Sequence, residues 1–336
     1  MTVSIKDIAR VAGVSYSTVS RALADSSRVR LETRERIQQL AAEMGYFPSV
    51  AARSLVTHRT QTIGLVATTI KDLFQAEVIQ VIEETALDSG YSVILAHSGA
   101  ASERELVELR ALQERRVDGI ILISVRADGD CAAVLQGNRV PVVFINNVRR
   151  GDFGYSVRMD NFGGAQQAVR HLLELGHRRI GYVSGPPIEW DNIERERGYR
   201  QALSSYGLEG DATLIVEGNG RPESGVMALR RLLASSYPPT AVFCYNDASA
   251  LGVMRAAQAA GLRIPQDLAV VGFDDIDLAP YFEPPLTTVA QPKEVMGRKA
   301  VEIILSHLNG EAVEKDYTLP GRLVLRQSTM ALGSVS

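Results

Sequence analysis

Ser4-Ile-Lys-Asp-Ile-Ala-Arg-Val-Ala-Gly-Val-Ser-Tyr-Ser-Thr-Val-Ser-Arg-Ala-Leu23 contains two short helical patterns separated by a glycine. Ser4 can cap the first, with Asp7 three residues on completing a near capping box. Ile5, Ile8, Ala9 and Ala12 then fall on one face, and Gly13 ends the helix. Ser15 can cap the second helix, whose inward positions are Val14, Val19 and Leu23. Tyr16, Ser17, Ser20 and Arg21 are left for the outer face. A phenol, hydroxyls and a guanidinium on one exposed helix face suit base edges and phosphates, because Arg pairs bidentately with guanine and a hydroxyl can donate or accept. A third helix is expected over 31–45, with Ile37, Leu40, Ala41 and Met44 inward and Gly45 as its stop. Three helices of this kind make a small DNA-binding headpiece.

Pro48-Ser-Val-Ala-Ala-Arg-Ser-Leu55 has a helical pattern from Ser49 but is too short to be stable alone in water. It is expected to fold on binding. Together with the pattern of the downstream chain, these segments resemble the lactose-repressor/galactose-repressor (LacI/GalR) family of bacterial transcription regulators over nearly the whole chain. The resemblance implies that the second helix enters the major groove, with Tyr16, Ser17 and Arg21 reading bases and Ser4, Thr18 and Ser20 near the backbone. It also implies a hinge helix in which Leu55 wedges between base pairs of a minor groove, with the small Ala52 beside it. Arg30 departs from the pattern, standing where the family places a capping hydroxyl or amide. A guanidinium cannot accept the free N–H groups, so the cap is weakened by about 1 kcal/mol unless Arg30 contacts a phosphate instead.

Charge follows the same division. Residues 1–60 carry nine Lys/Arg against five Asp/Glu, whereas the remainder is net acidic, for an overall −3. Positive charge concentrated on one module can bind DNA within an acidic protein, and that binding should weaken steeply with salt. No apolar run approaches a membrane span and the amino terminus lacks a signal-peptide pattern, so a cytoplasmic protein is expected. Cys131 and Cys244 stand apart, and the five histidines lack metal-ligand spacing, so neither a metal nor a cofactor is expected.

From Thr60 onward, short β-branched runs alternate with helical patterns, the signature of parallel α/β sheets. Strands are expected at 63–67, 92–96, 119–123, 142–145, 180–184, 213–217, 241–245 and 269–272. The fold class is therefore an all-α helix-turn-helix headpiece and hinge helix, followed by a periplasmic-binding-protein-like core of two doubly wound parallel-sheet lobes. The expected domains are a headpiece at 1–47, a hinge and linker at 48–60, and an effector-binding and dimerisation domain at 61–336. Its N-lobe covers about 61–160 and 291–320, and its C-lobe about 161–290 and 321–330.

Ligands of such sheets sit beyond the carboxyl ends of the strands. There the resemblance implies effector contacts from Phe74, Gln75, Asp160, Arg195, Asn246, Asp274 and Gln291, with Arg195 opening a helix. The loop Gly185-Pro-Pro-Ile-Glu-Trp-Asp191 adds Glu189, the sole tryptophan Trp190, and Asp191. Carboxylates and amides bridge vicinal hydroxyls and an aromatic covers a ring, so a sugar or sugar acid is expected. Trp190 could equally anchor its loop, and Asp274 could equally cap a turn. Gly220 stands where several relatives place a stacking aromatic, and Glu189 where purine-binding relatives have an arginine.

The expected function is sequence-specific transcriptional regulation, by a dimeric repressor bound to a pseudo-palindromic double-stranded DNA operator and controlled by the effector. A transport-type solute-binding protein would account for the body but not the basic head. A carbohydrate-acting enzyme using Asp274 and Asp275 is opposed by their adjacency, since neighbouring strand residues point to opposite faces.

Overall fold

The computed structural model describes residues 3–23, 28–46, 59–99, 101–124, 129–137, 140–148, 153–208 and 210–330. The hinge segment with Ala52 and Leu55 lies outside the described residues. The chain divides into two compact units, Met1–Gln61 and Thr62–Ser336.

The first unit has helices α1 (Ile5–Ala12), α2 (Tyr16–Leu23) and α3 (Leu31–Glu43). The capping box at Ser4 forms in full: the Ser4 hydroxyl accepts from Asp7 N, and the Asp7 carboxylate accepts from Ser4 N at 3.0 Å. Gly13 closes α1 at φ +68°, a conformation that costs glycine little. Ser15 caps α2 by accepting from Thr18 N at 3.1 Å. Ile8, Ala12, Val19, Ala22, Ile37 and Ala41 form the core. From α3, Arg36 donates to Ala12 O at 2.8 Å and Gln38 to Ala22 O at 3.3 Å. These bonds satisfy carbonyls that the ends of α1 and α2 leave without helical partners. Arg30 stands at the N-cap of α3 and its side chain makes no capping bond.

The second unit holds two six-stranded sheets. The first lobe is built on β1 (Thr62–Ala67), β2 (Ser92–His97), β3 (Gly119–Ile123), β4 (Val142–Ile145), β5 (Tyr155–Met159) and β11 (Asp316–Leu319), in the order β11-β5-β4-β3-β1-β2, all parallel. Its helices are α4 (Leu73–Asp88), α5 (Ser102–Glu114), α6 (Asp130–Gln136) and α11 (Lys293–Leu308). Val78 and Ile82 of α4 join Ala300 and Ile304 of α11 in one apolar layer, and Leu109, Leu112, Cys131 and Leu135 form another.

The second lobe has β6 (Ile180–Val183), β7 (Ile215–Val216), β8 (Ala241–Cys244), β9 (Ala269–Asp274), β10 (Thr287–Ala290) and β12 (Arg322–Val324). Their order is β12-β10-β9-β8-β6-β7, with only the β10–β12 pair antiparallel. Helices α7 (Asn161–Glu174), α8 (Trp190–Ser205), α9 (Pro222–Leu233) and α10 (Asp247–Ala259) complete it. Both sheets bury near-continuous apolar runs, as parallel strands covered on two faces must. The chain passes between sheets after β5, after β10 and between β11 and β12. Among the described residues, no helix is long and apolar enough to cross a membrane.

Candidate functional site

In the first unit, α2 buries Val19 and Ala22 and turns its other side outward. Tyr16 is 64% exposed, Arg21 is exposed, and Ser17, Thr18 and Ser20 are half-buried between them. Ser15 hydrogen-bonds both Ser17 and Thr18 hydroxyls at 2.8 Å, which orients the amino-terminal edge of the helix. Ser4, exposed, is engaged in its own capping box.

The second site lies where strand ends of the two lobes meet. Arg195, only 2% exposed, is its centre. It comes from the second turn of α8, which starts at Trp190; the expectation that Arg195 opens the helix is corrected by five residues. Helix geometry puts Asp191 one turn before Arg195 on the same face. The guanidinium lies 3.8 Å from the Asp191 carboxylate and 3.9 Å from that of Asp274. Its Nε donates to Asn161 Oδ1 at 2.9 Å and its Nη1 to Tyr245 O at 2.5 Å. It stacks 3.7 Å from the Phe273 ring centre and 4.7 Å from that of Tyr245. Tyr245 in turn donates its hydroxyl to Asp191 at 2.6 Å.

From this centre a chain of bonds crosses to the first lobe. Gln291 Nε2 donates to Asp274 at 2.7 Å, and its Oε1 accepts from Asn146 Nδ2 at 3.1 Å. Asn146 follows β4, Asp274 ends β9 and Gln291 follows β10, so the bonds join carboxyl ends of strands from both sheets. Asn146, Asp274 and Asp275 all have positive φ, at 52°, 117° and 53°. Such conformations cost energy in residues other than glycine and persist only where the surroundings fix them.

Burial opposes the Arg195 charge, but Asp191, Tyr245 and Asp274 outweigh it and hold the guanidinium above its ordinary value. Burial drives Asp274 well above the carboxylate range, with Asp247 and Asp72 adding to the rise against the pull of Arg195. Burial, with Asp191, also raises Asp72, which caps α4 by accepting from Gln75 N at 3.1 Å. Three acids thus surround one arginine whose Nε and Nη1 are hydrogen-bonded and whose Nη2 stands 3.8 and 3.9 Å from two of them.

The other expected residues divide. Gln75 is buried, with its amide bonded to Thr68 and Thr69. Asn246 caps α10 through Ser249 N at 2.8 Å and donates to Gly220 O at 3.0 Å. Phe74 is 5% exposed and packs in the apolar layer of the first lobe, so its ring serves the core. Asp160 is exposed and caps α7 through Gly163 N at 2.8 Å. Glu189 is the N-cap residue of α8. Trp190 is half-buried within the helix, not on an exposed loop, and its ring lies 5.4 Å from the Arg158 guanidinium.

The cluster also contains Asn161, which the sequence places beside Asp160 at the turn between lobes, and Tyr245, Phe273, Asn146 and Asp72, none of which is among the contacts expected from sequence. Their signal is positional: Tyr245 immediately precedes Asn246 and Phe273 immediately precedes Asp274 at strand ends. Beside Gly220, where an aromatic is missing, the Tyr245 ring approaches closely enough to touch a Cβ placed there.

Comparison with known proteins gives two family matches. The profile described as bacterial regulatory proteins, lacI family, matches residues 4–49, and that of a periplasmic binding protein-like domain matches 169–329. The HTH-type transcriptional repressor CytR of Escherichia coli (strain K12) is 37% identical over 330 residues, covering 98% of this chain and 97% of that protein. The lac repressor dimer bound to operator and the anti-inducer ONPF superposes with a TM-score of 0.90 at 30% identity, covering 98% of this chain and 100% of that one. A transcriptional regulator CelR–cellobiose complex superposes at 0.75 with 33% identity, covering 97% and 100%.

Proposed function

Because the chain belongs to the lacI family of bacterial regulatory proteins, which are DNA-binding transcription regulators and not enzymes, we propose that α2 reads its operator and that the cluster around Arg195 holds its effector. The two profiles and the two compact units support a division into a reading head near residues 1–47, a hinge and linker near 48–60, and an effector core beyond. Tyr16 and Arg21 face the bases from the exposed side of α2, with Ser17, Thr18 and Ser20 at the groove edge. Ser4 and Arg30 lie at helix amino termini, suited to phosphate contacts. Ala52 and Leu55 serve as the minor-groove hinge.

A dimer on a pseudo-palindromic site follows the lac repressor relative. Exposed Leu73, Leu87, Leu95, Leu251, Leu278 and Tyr281 supply apolar surface for it. The protein acts in the cytoplasm, where its operator is.

The effector is a neutral, hydroxyl-rich molecule of sugar type. The observation carrying this is Arg195 held between Asp191 and Asp274, with Asp72 close by. An added anion would have to share that single arginine with three acids already beside it. Hydroxyl donors, by contrast, match carboxylate and amide acceptors. Asn246 and Gln291 extend the polar wall, and Tyr245 offers a ring face. Gln75, Asp160, Glu189 and Trp190 border the site, with Trp190 as its reporter.

Titration of the Trp190 fluorescence tests this, using ribose and cellobiose on one side and gluconate and glucose 6-phosphate on the other. Saturable responses confined to neutral sugars, and lost in Asp191→Asn, are expected. Responses confined to the anions would overturn the reading.

A further inference from the structure

The lobes are also joined outside the Arg195 cluster, by two residues that the effector reading does not use. Glu77 on α4 and Lys293 at the start of α11 form an ion pair within the first lobe. Both also reach the segment after β9 in the second lobe. Asp277 N donates to Glu77 Oε1 at 3.0 Å, and Lys293 Nζ donates to Asp275 O at 2.6 Å. The side chains of Glu77 and Lys293 are only 20% and 15% exposed, so water screens these contacts poorly.

The gripped segment directly follows Asp274, the acid that faces Arg195, and Asp274 and Asp275 are consecutive residues with positive φ. From its own lobe, Arg326 holds the Asp275 carboxylate at 2.7 Å and donates to Leu286 O at 2.8 Å. The turn is thus fixed from both sides: by Arg326 within the second lobe, and by Glu77 and Lys293 across the gap. We propose that Glu77 and Lys293 are positioning residues that hold the lobes closed by gripping the backbone of 275–277, and so set where Asp274 stands relative to Arg195. The consequence for the effector rests on the proposed function above; the grip itself does not.

A simple ion pair and a backbone grip differ in one testable respect. Exchanging the two side chains restores opposite charges, but a lysine at 77 cannot accept from Asp277 N and a glutamate at 293 cannot donate to Asp275 O. Spin labels on Val107→Cys in α5 and Met227→Cys in α9, sites 63% and 65% exposed, report the distance between lobes. The native Cys131 and Cys244 are buried and are spared labelling. The experiment uses the full-length chain without ligand, diluted with unlabelled protein so that each assembly carries one labelled copy.

The expected result is one narrow distance in the parent chain, and a shift and broadening beyond the parent width in Glu77→Ala, in Lys293→Met and in the exchange Glu77→Lys/Lys293→Glu. Lys293→Arg, which keeps a donor, retains the parent distribution. Should Glu77→Ala fail to fold, Glu77→Leu, which keeps a side chain of similar size but cannot accept from Asp277 N, takes its place with the same expectation. A parent-like distribution in either single variant, or its restoration by the exchange, overturns the proposal. Failure of the effector reading would appear elsewhere, as sugar binding indifferent to Asp191→Asn, and would leave these distances unchanged.

Discussion

Replacing Arg195 by methionine keeps much of the buried volume and removes the charge, which isolates the electrostatic part of the cluster. Arg195 is 2% exposed and lies within 4 Å of two carboxylates, one of them on a side chain itself only 8% exposed. Taking one partner from a buried ion pair costs about 3–5 kcal/mol, chiefly because the remaining charge has no compensation. Asn161 Oδ1 and Tyr245 O lose donors as well. For a unit of this size, about 2 °C of melting temperature is lost per kcal/mol, so a fall of about 6–10 °C is expected near neutral pH.

The fall must also depend on pH in a defined direction. Arg195 pulls the Asp274 proton affinity down against burial, so its removal lets Asp274 rise further above the usual carboxylate range. A raised folded value contributes stability that is full below the unfolded value and is lost as pH rises through the folded one. The deficit of Arg195→Met relative to the parent should therefore be smaller at pH 5 than at pH 8. Adding Asp274→Asn should recover part of it at pH 8. Scanning calorimetry at the two pH values is the assay. A fall of less than about 2 °C, corresponding to about 1 kcal/mol, or a deficit that does not change with pH, would refute the assignment of Arg195 as counter-ion to the buried acids.

Burial pushes Asp247 up to about 7 from 3.8. Its share of stability should therefore fade as pH rises through about 7; Asp247→Asn, which can donate to Thr288 and accept from Ile276 N, should flatten that slope, and a steeper slope in the variant would count against it. Arg21→Ala should narrow the gap between operator and random DNA by about 1–3 kcal/mol in competition binding; an equal loss on both would make Arg21 a phosphate contact. Gly252→Ala should destabilise by about 1–3 kcal/mol in chemical unfolding, because a Cβ there would run into the Pro222 carbonyl of α9. Parent-like unfolding would mean that α9 and α10 can separate at little cost.

Apolar periodicity and caps made the head legible in detail: Ser4, Gly13, Ser15 and Arg30 each do in the structure what their chemistry dictates. The central strands of both sheets were equally plain, because a strand buried on two faces is a short apolar run. The strands that escaped were β5, β10, β11 and β12. Thr287-Thr-Val-Ala290 is polar in sequence yet buried, since Thr287 and Thr288 find partners in Ser328, Thr329 and Asp247. The edge strands β11 and β12 are half-exposed and so lack an apolar run. Helix α6 is only seven residues long.

At the site, positions at strand ends made Asp274, Asn246 and Gln291 candidates, and the structure joins Asp274 and Gln291 by a 2.7 Å hydrogen bond. The sequence did not indicate that Arg195 would be enclosed by acids, because that depends on which face of α8 meets the end of β9. Nor did it reveal that Phe74 turns into the core, where an aromatic on the inner face of α4 gains more from burial than from solvent.

On the proposed function, the basic head reads a specific sequence as one of a symmetric pair. Selecting DNA from a random-sequence pool with the full-length chain and sequencing what is retained tests this most directly. An enriched, roughly palindromic motif is expected, with half-sites that lose definition in Tyr16→Ala or Arg21→Ala. Retention of DNA without an enriched motif, or a motif unchanged by both substitutions, would contradict that claim.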